Sequence, residues 1–107
     1  FSTDDALMEE LRAAAADAGE AMWPMPLFDE YKKDMESEVA DCKNIGSRWG
    51  GSIFAALFLR EFVKDIPWGH LDIAGPARAE SDHGEVSKGG TGVATRTLLH
   101  WIERRSH

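Results

Sequence analysis

A chain of 107 residues and 11.8 kDa holds one domain or part of one, and a chain of that length buries roughly two thirds of its unfolded surface. With 43% hydrophobic and 29% charged residues and a mean hydropathy of -0.36, the composition is that of a globular protein and excludes a disordered or collagen-like chain. Twelve basic residues against 19 acidic ones give a net charge of -7 and a pI near 5.0. That surface repels phosphate backbones, so nucleic acid is not expected as a partner. A lone cysteine, Cys42, excludes an internal disulfide and every multi-cysteine zinc motif. The longest apolar run, Ile53 to Leu59, stops at Arg60 and Glu61, so no membrane partner is expected. Asp4 and Asp5 stand where a signal peptide would be basic. Phe1 in place of a methionine points to processing, cropping or excision from something longer.

Ser2 to Ala18 is expected to be a helix capped by Ser2 or Thr3. Leu7, Leu11, Ala14 and Ala18 recur at helical spacing, and Gly19 supplies a stop. Pro24 and Pro26 forbid regular helix. A short helix from Leu27 to Met35 is expected next, with Phe28, Tyr31 and Met35 on its buried side, and then a strand from Val39 to Asn44. A glycine-rich loop from Ile45 to Gly51 leads into a helix from about Ser52 to Val63. That helix is apolar all round in its upper turns, so it requires cover on nearly all sides. Two strands cannot cover it, and the isolated chain is therefore not expected to be a well-behaved monomer.

The alternation of His70 and Asp72 with Leu71 and Ile73 predicts a strand from Trp68 to Ala74, ended by Gly75 and Pro76. Arg78 to Lys88 reads as a polar surface loop. Thr91 to Arg104 reads as a helix capped by Thr91, with Ala94, Leu98 and Ile102 on one stripe. Helix, strand, helix, strand, helix is an α/β order. No linker marks a second domain, so residues 1–107 read as one piece of a larger layered structure.

Candidate chemistry is sparse. His70 and Asp72 fit a metal or acid/base pair at a strand end, or a histidine hydrogen-bonded to a structural carboxylate, and no third ligand lies at suggestive spacing. In Lys88-Gly89-Gly90-Thr91-Gly92 the lysine precedes the glycines, the reverse of a phosphate loop. Nothing places a histidine beside Cys42, so a bystander thiol is the simpler reading. On composition and spacing alone, no catalytic centre is visible.

Five segments in series carry more. They are Met22-Trp23-Pro24-Met25-Pro26-Leu27, Ala40-Asp41-Cys42-Lys43-Asn44-Ile45-Gly46, the run from Ala55 to Val63, the run from Trp68 to Ala77, and Lys88-Gly89-Gly90-Thr91-Gly92 followed by Arg96-Thr97-Leu98-Leu99. In that order and spacing the chain resembles the C-terminal end of the leucine aminopeptidase (cytosol aminopeptidase) family. The resemblance implies a cytoplasmic, hexameric exopeptidase that removes N-terminal residues from peptides with two zinc or manganese ions bridged by water or hydroxide. It implies a three-layer αβα domain with a mixed sheet, incomplete here without an upstream segment. The family's metal ligands lie upstream of the matching part, and its signature Asn-Thr-Asp-Ala-Glu-Gly-Arg does not occur in this chain. The resemblance therefore assigns this chain no catalytic residue and no metal ligand, Asp41 and Asp72 included. It assigns pocket lining: Ala74 and Ala77 border the pocket for the first substrate side chain, Gly75 lies between them, and Ile45 lies near the pocket for the next. Some relatives carry a methionine at the position of Ala77. The rival readings are a non-catalytic remnant acting as an interaction module, and a small hydrolase using His70, Asp72 and Cys42.

Overall fold

Helix α1, Asp5–Ala18, starts two or three residues after the expected caps, Thr3 and Ser2. Asp4 is the cap: its Oδ1 accepts the Leu7 amide at 2.9 Å, while Ser2 Oγ accepts the Asp4 amide and donates to the Trp68 carbonyl. Leu11, Ala14, Ala15 and Ala18 form the buried stripe. Gly19 ends the helix as expected. It adopts φ +70°, and the Gly19 and Glu20 amides return to the carbonyls of Ala16 and Ala15, a Schellman closure that needs a left-handed residue.

The computed structural model describes residues 1–35 and 51–106. The expected strand from Val39 to Asn44, the loop around Arg48 and Trp49, and the candidate residues Ile45 and Cys42 lie outside the described residues. A 3-10 helix, Asp29–Met35, occupies the place of the expected short helix. Helix α2 runs over Gly51–Arg60 and α3 over Thr95–Arg105. Strands β1, Arg78–Ala79, and β2, Gly89–Gly90, pair antiparallel with Arg78 opposite Gly90. The chain is a mixture of helices and a small sheet, as an α/β fragment is. It divides into two compact units, Phe1–Leu7 with Pro24–His70, and Met8–Trp23 with Leu71–His107.

In the first unit, α2 buries Ile53, Phe54, Ala56 and Leu57 in a core with Phe1, against which Met25, Leu27, Phe58 and Trp68 pack. Leu57 is fully enclosed. The helix stops three residues short of the expected end: 3-10-type bonds from Glu61, Phe62 and Val63 tighten the last turn, and Lys64 turns left-handed at φ 52°. Leu59 and Phe62 remain exposed, so one face is covered rather than the whole circumference. Tyr31 stacks obliquely on Phe54 at 5.1 Å, and Arg60 bonds Asp29 at 2.6 Å, holding that carboxyl below its usual range. Phe28 and Tyr31 are nevertheless exposed, contrary to the buried side expected for them.

The expected strand over Trp68 to Ala74 is corrected. Residues 1–3 bridge it at Gly69 only, with the Thr3 amide on the Trp68 carbonyl and the His70 amide on the Phe1 carbonyl. Beyond His70 no ladder forms, because Asp72 closes a local turn onto the Ala74 amide.

In the second unit the expected surface loop from Arg78 to Lys88 is a hairpin. His83 and Val86 exchange both amide bonds at 2.9 Å, and Asp82 accepts the Lys88 amide at 2.7 Å. Helix α3 begins at Thr95 rather than Thr91. Its enclosed residue is Thr97, while Leu98, Leu99 and Ile102 are exposed, so of the expected apolar stripe Ala94 is buried and Leu98 and Ile102 are not. Trp101 donates to Glu10 at 2.9 Å, Arg105 pairs with the same carboxylate at 2.6 Å, and Arg104 pairs with Asp17.

Glu20 caps α3 from 77 positions away in sequence. Its Oε2 accepts the Ala94 amide at 2.8 Å, and its Oε1 accepts both the Thr97 amide and hydroxyl at 2.9 Å. Burial pushes the Glu20 carboxyl upward. The bonds from Thr97 and Ala94, with the Arg96 charge, outweigh that and hold it below the usual glutamate range. The folded value is depressed, so the stabilisation is complete above the unfolded pKa of about 4.3 and is lost as pH falls through the folded one. Glu20→Gln keeps one acceptor oxygen and is expected to cost about 1 kcal/mol near neutral pH. The cost should shrink as pH falls through the lowered folded pKa, where the wild-type carboxyl also protonates. Urea midpoints of both proteins across that range check it, and an equal difference at every pH contradicts it.

Candidate functional site

Ala74, Gly75 and Ala77 share one turn. The turn is entered through the Asp72 carboxylate on the Ala74 amide at 3.1 Å and is closed by the Ala77 amide on the Ile73 carbonyl at 2.9 Å. Pro76 fixes one φ within it and biases Gly75 away from helix. On the exit side, β1 and β2 tie residues 78 and 79 to 90 and 89. Across the turn stands Thr91: its hydroxyl donates to the Pro76 carbonyl at 2.6 Å, and its amide donates to the Ala77 carbonyl at 3.0 Å. Ala74 and Gly75 are exposed, Ala77 is partly buried, and a Cβ built on Gly75 meets nothing within 4 Å. The result is a rigid edge of small side chains with open space over it. It offers shape and contact area but no group that titrates or attacks.

The other candidates do not assemble into chemistry. His70, in the first unit, stacks on Trp68 at 6.1 Å with the planes 13° apart and lies obliquely against Phe1 at 6.0 Å. Asp72, in the second, is engaged with the Ala74 amide. Lys88 to Gly92 forms β2 and the brace at Thr91 rather than a phosphate cradle. Among the described residues, no group of three or more His, Cys, Asp or Glu side chains converges as metal ligands do. No helix among them is long and apolar enough to cross a membrane. Sequence reasoning missed the roles of Thr91 and Glu20. Thr91 has the sequence context of a cap for the helix that follows it, and Glu20 carries no local signal at all.

Comparison with known proteins agrees with the resemblance. The model of the cytosol aminopeptidase family's catalytic domain matches residues 1–99. A probable cytosol aminopeptidase of Rippkaea orientalis is 54% identical over 102 residues, 95% of this chain and 21% of the relative. One from a Picosynechococcus strain is 53% identical over the same shares. The chain thus spans about a fifth of the length of these relatives. Among solved structures, the bottromycin maturation enzyme BotP in complex with Mn superposes with a TM-score of 0.94 at 42% identity, covering 100% of this chain and 24% of that one. A mutant of tomato leucine aminopeptidase gives 0.86 at 40% identity, covering 97% and 20%. The turn and its brace thus belong to a chain that matches a known catalytic domain over most of its length, and the chain belongs to the cytosol aminopeptidase family.

Proposed function

We propose that this chain is the C-terminal portion of the catalytic domain of a leucyl aminopeptidase that removes N-terminal residues from peptides. The observation that carries the reading is the family match over residues 1–99, which includes the whole of the braced turn. In this reading the turn is a wall of the pocket for the first substrate side chain. Ala74 and Ala77 keep the wall thin, Gly75 leaves its backbone open to the substrate, and Ile45 borders the next pocket. The domain is a three-layer αβα structure with a mixed sheet, and the upstream segment supplies the missing layers. Cover from that segment explains why Leu98, Leu99 and Ile102 carry so much exposed apolar surface here.

The proposed cofactors are two divalent ions, zinc or manganese, and manganese is named in the BotP complex. The described residues do not fit such a centre: no acidic or histidine cluster exists, and Asp72 is committed to the backbone. Its ligands belong to the upstream segment, and this chain's share of the reaction is to bind and orient the substrate's first side chain. The complete protein is proposed to be cytoplasmic and to assemble as a homo-hexamer acting on peptides. The chain alone is expected to bind no stoichiometric zinc or manganese in calorimetric titration. A one-to-one site in these 107 residues contradicts the division of labour proposed here.

A further inference from the structure

We propose that Thr91 is a positioning residue for substrate selection: its hydroxyl and amide hold the Ala74–Ala77 turn in the shape that receives the first substrate side chain. The inference rests on the aminopeptidase reading above and names what sets the geometry of that pocket wall. One residue takes two consecutive carbonyls of the turn, those of Pro76 and Ala77, at 2.6 and 3.0 Å. The hydroxyl is used in both senses, since it also accepts the Val93 amide at 3.3 Å. Neither carbonyl has another short bond among those of the described residues, so loss of the hydroxyl frees the Pro76 carbonyl and slackens the link to residue 93.

The segment behind Thr91 is built to stay put. Gly89, Gly92 and Ala94 all lie in the left-handed half of φ, at +113°, +66° and 72°. For alanine that conformation is unfavourable and persists only where neighbours over-determine it. Here they do. The Ala94 amide is held by Glu20 at 2.8 Å, the Thr95 amide returns to the Gly92 carbonyl at 3.1 Å, and Glu20 also grips Thr97. Backbone strain thus falls on Ala94, at the end of the segment 89–94 that carries the brace and touches the pocket wall. A connector with no task beyond joining β2 to α3 requires none of it.

The test compares Thr91→Val, which keeps the shape and removes the hydroxyl, with Thr91→Ser, which keeps the hydroxyl, both in the complete enzyme. Leucine and alanine p-nitroanilides are the probes. Thr91→Val should raise KM for the leucine substrate about three- to tenfold while kcat stays within about twofold, and Thr91→Ser should stay within about twofold of wild type in both. An unchanged leucine KM in Thr91→Val, or equal falls in kcat for both substrates, overturns the proposal. If Thr91→Val does not accumulate as folded protein, Thr91→Ala replaces it with the same expected split. Hydrogen exchange at the Ala77 amide separates the two levels of the claim. It should quicken about three- to tenfold in the variant without the hydroxyl. A wild-type enzyme inactive on both substrates overturns the aminopeptidase reading, whereas unchanged exchange at Ala77 overturns the positioning role.

Discussion

Truncating Leu57 to alanine is expected to destabilise the first unit by about 2–5 kcal/mol, the largest stability effect of any single change considered for this chain. Leu57 has no solvent exposure, and it sits in a cluster whose other buried members are Phe1, Ile53, Phe54 and Ala56. Removing the isopropyl end of its side chain takes away the transfer free energy of three carbons and leaves a void that rigid neighbours close only partly. Leu59 lies on the same helix at 39% exposure, so Leu59→Ala loses much less, about 1 kcal/mol or under. Urea midpoints of the two variants measure the contrast. Equal costs would mean that the enclosed side of α2 is not the one described.

The second large effect concerns selection. In the complete enzyme, Ala77→Phe is expected to lower the leucine-to-alanine ratio of kcat/KM about tenfold or more, because a clash of a few methylenes in a pocket is worth roughly 1–3 kcal/mol. The turn around Ala77 cannot swing away to relieve it. The Ala77 amide and carbonyl are both bonded, to Ile73 and to Thr91. Trp23→Phe, at a side chain 84% exposed in the same unit, should leave the ratio within about twofold. A folded Ala77→Phe enzyme with an unaltered ratio removes Ala77 from the pocket wall.

Which parts of this structure could be read in advance depends on how far their causes lie along the chain. Helix α1 was legible because its cause is local: a periodic apolar stripe, an acidic first turn and a glycine stop. Even there the expected cap, Ser2 or Thr3, falls one or two residues before the real one, Asp4. The alternation from Trp68 to Ala74 is a genuine strand signal, but a strand needs a neighbour. The turn chemistry of Asp72 prevails where residues 1–3 run out. Two-residue strands made of Arg-Ala and Gly-Gly carry no alternation, so the hairpin left no pattern to find. At α3 the local signal misled outright, because Thr91 looks like a cap and is a brace. The cap itself comes from Glu20, far outside any window that a periodicity argument uses. Thr97 is buried in place of Leu98 for the same reason: Glu20 satisfies its hydroxyl and removes the cost of enclosing it. The candidate site was legible only through resemblance, since alanine and glycine announce no chemistry.

Hydrolysis of leucine p-nitroanilide in the presence of manganese, measured side by side for the complete protein that carries this chain and for the 107 residues alone, tests the central claim most directly. The account predicts turnover by the complete protein, abolished by a chelator and restored by metal, and none above a metal-only blank for the 107 residues. Turnover by the 107 residues alone, or an inactive complete protein, would contradict it.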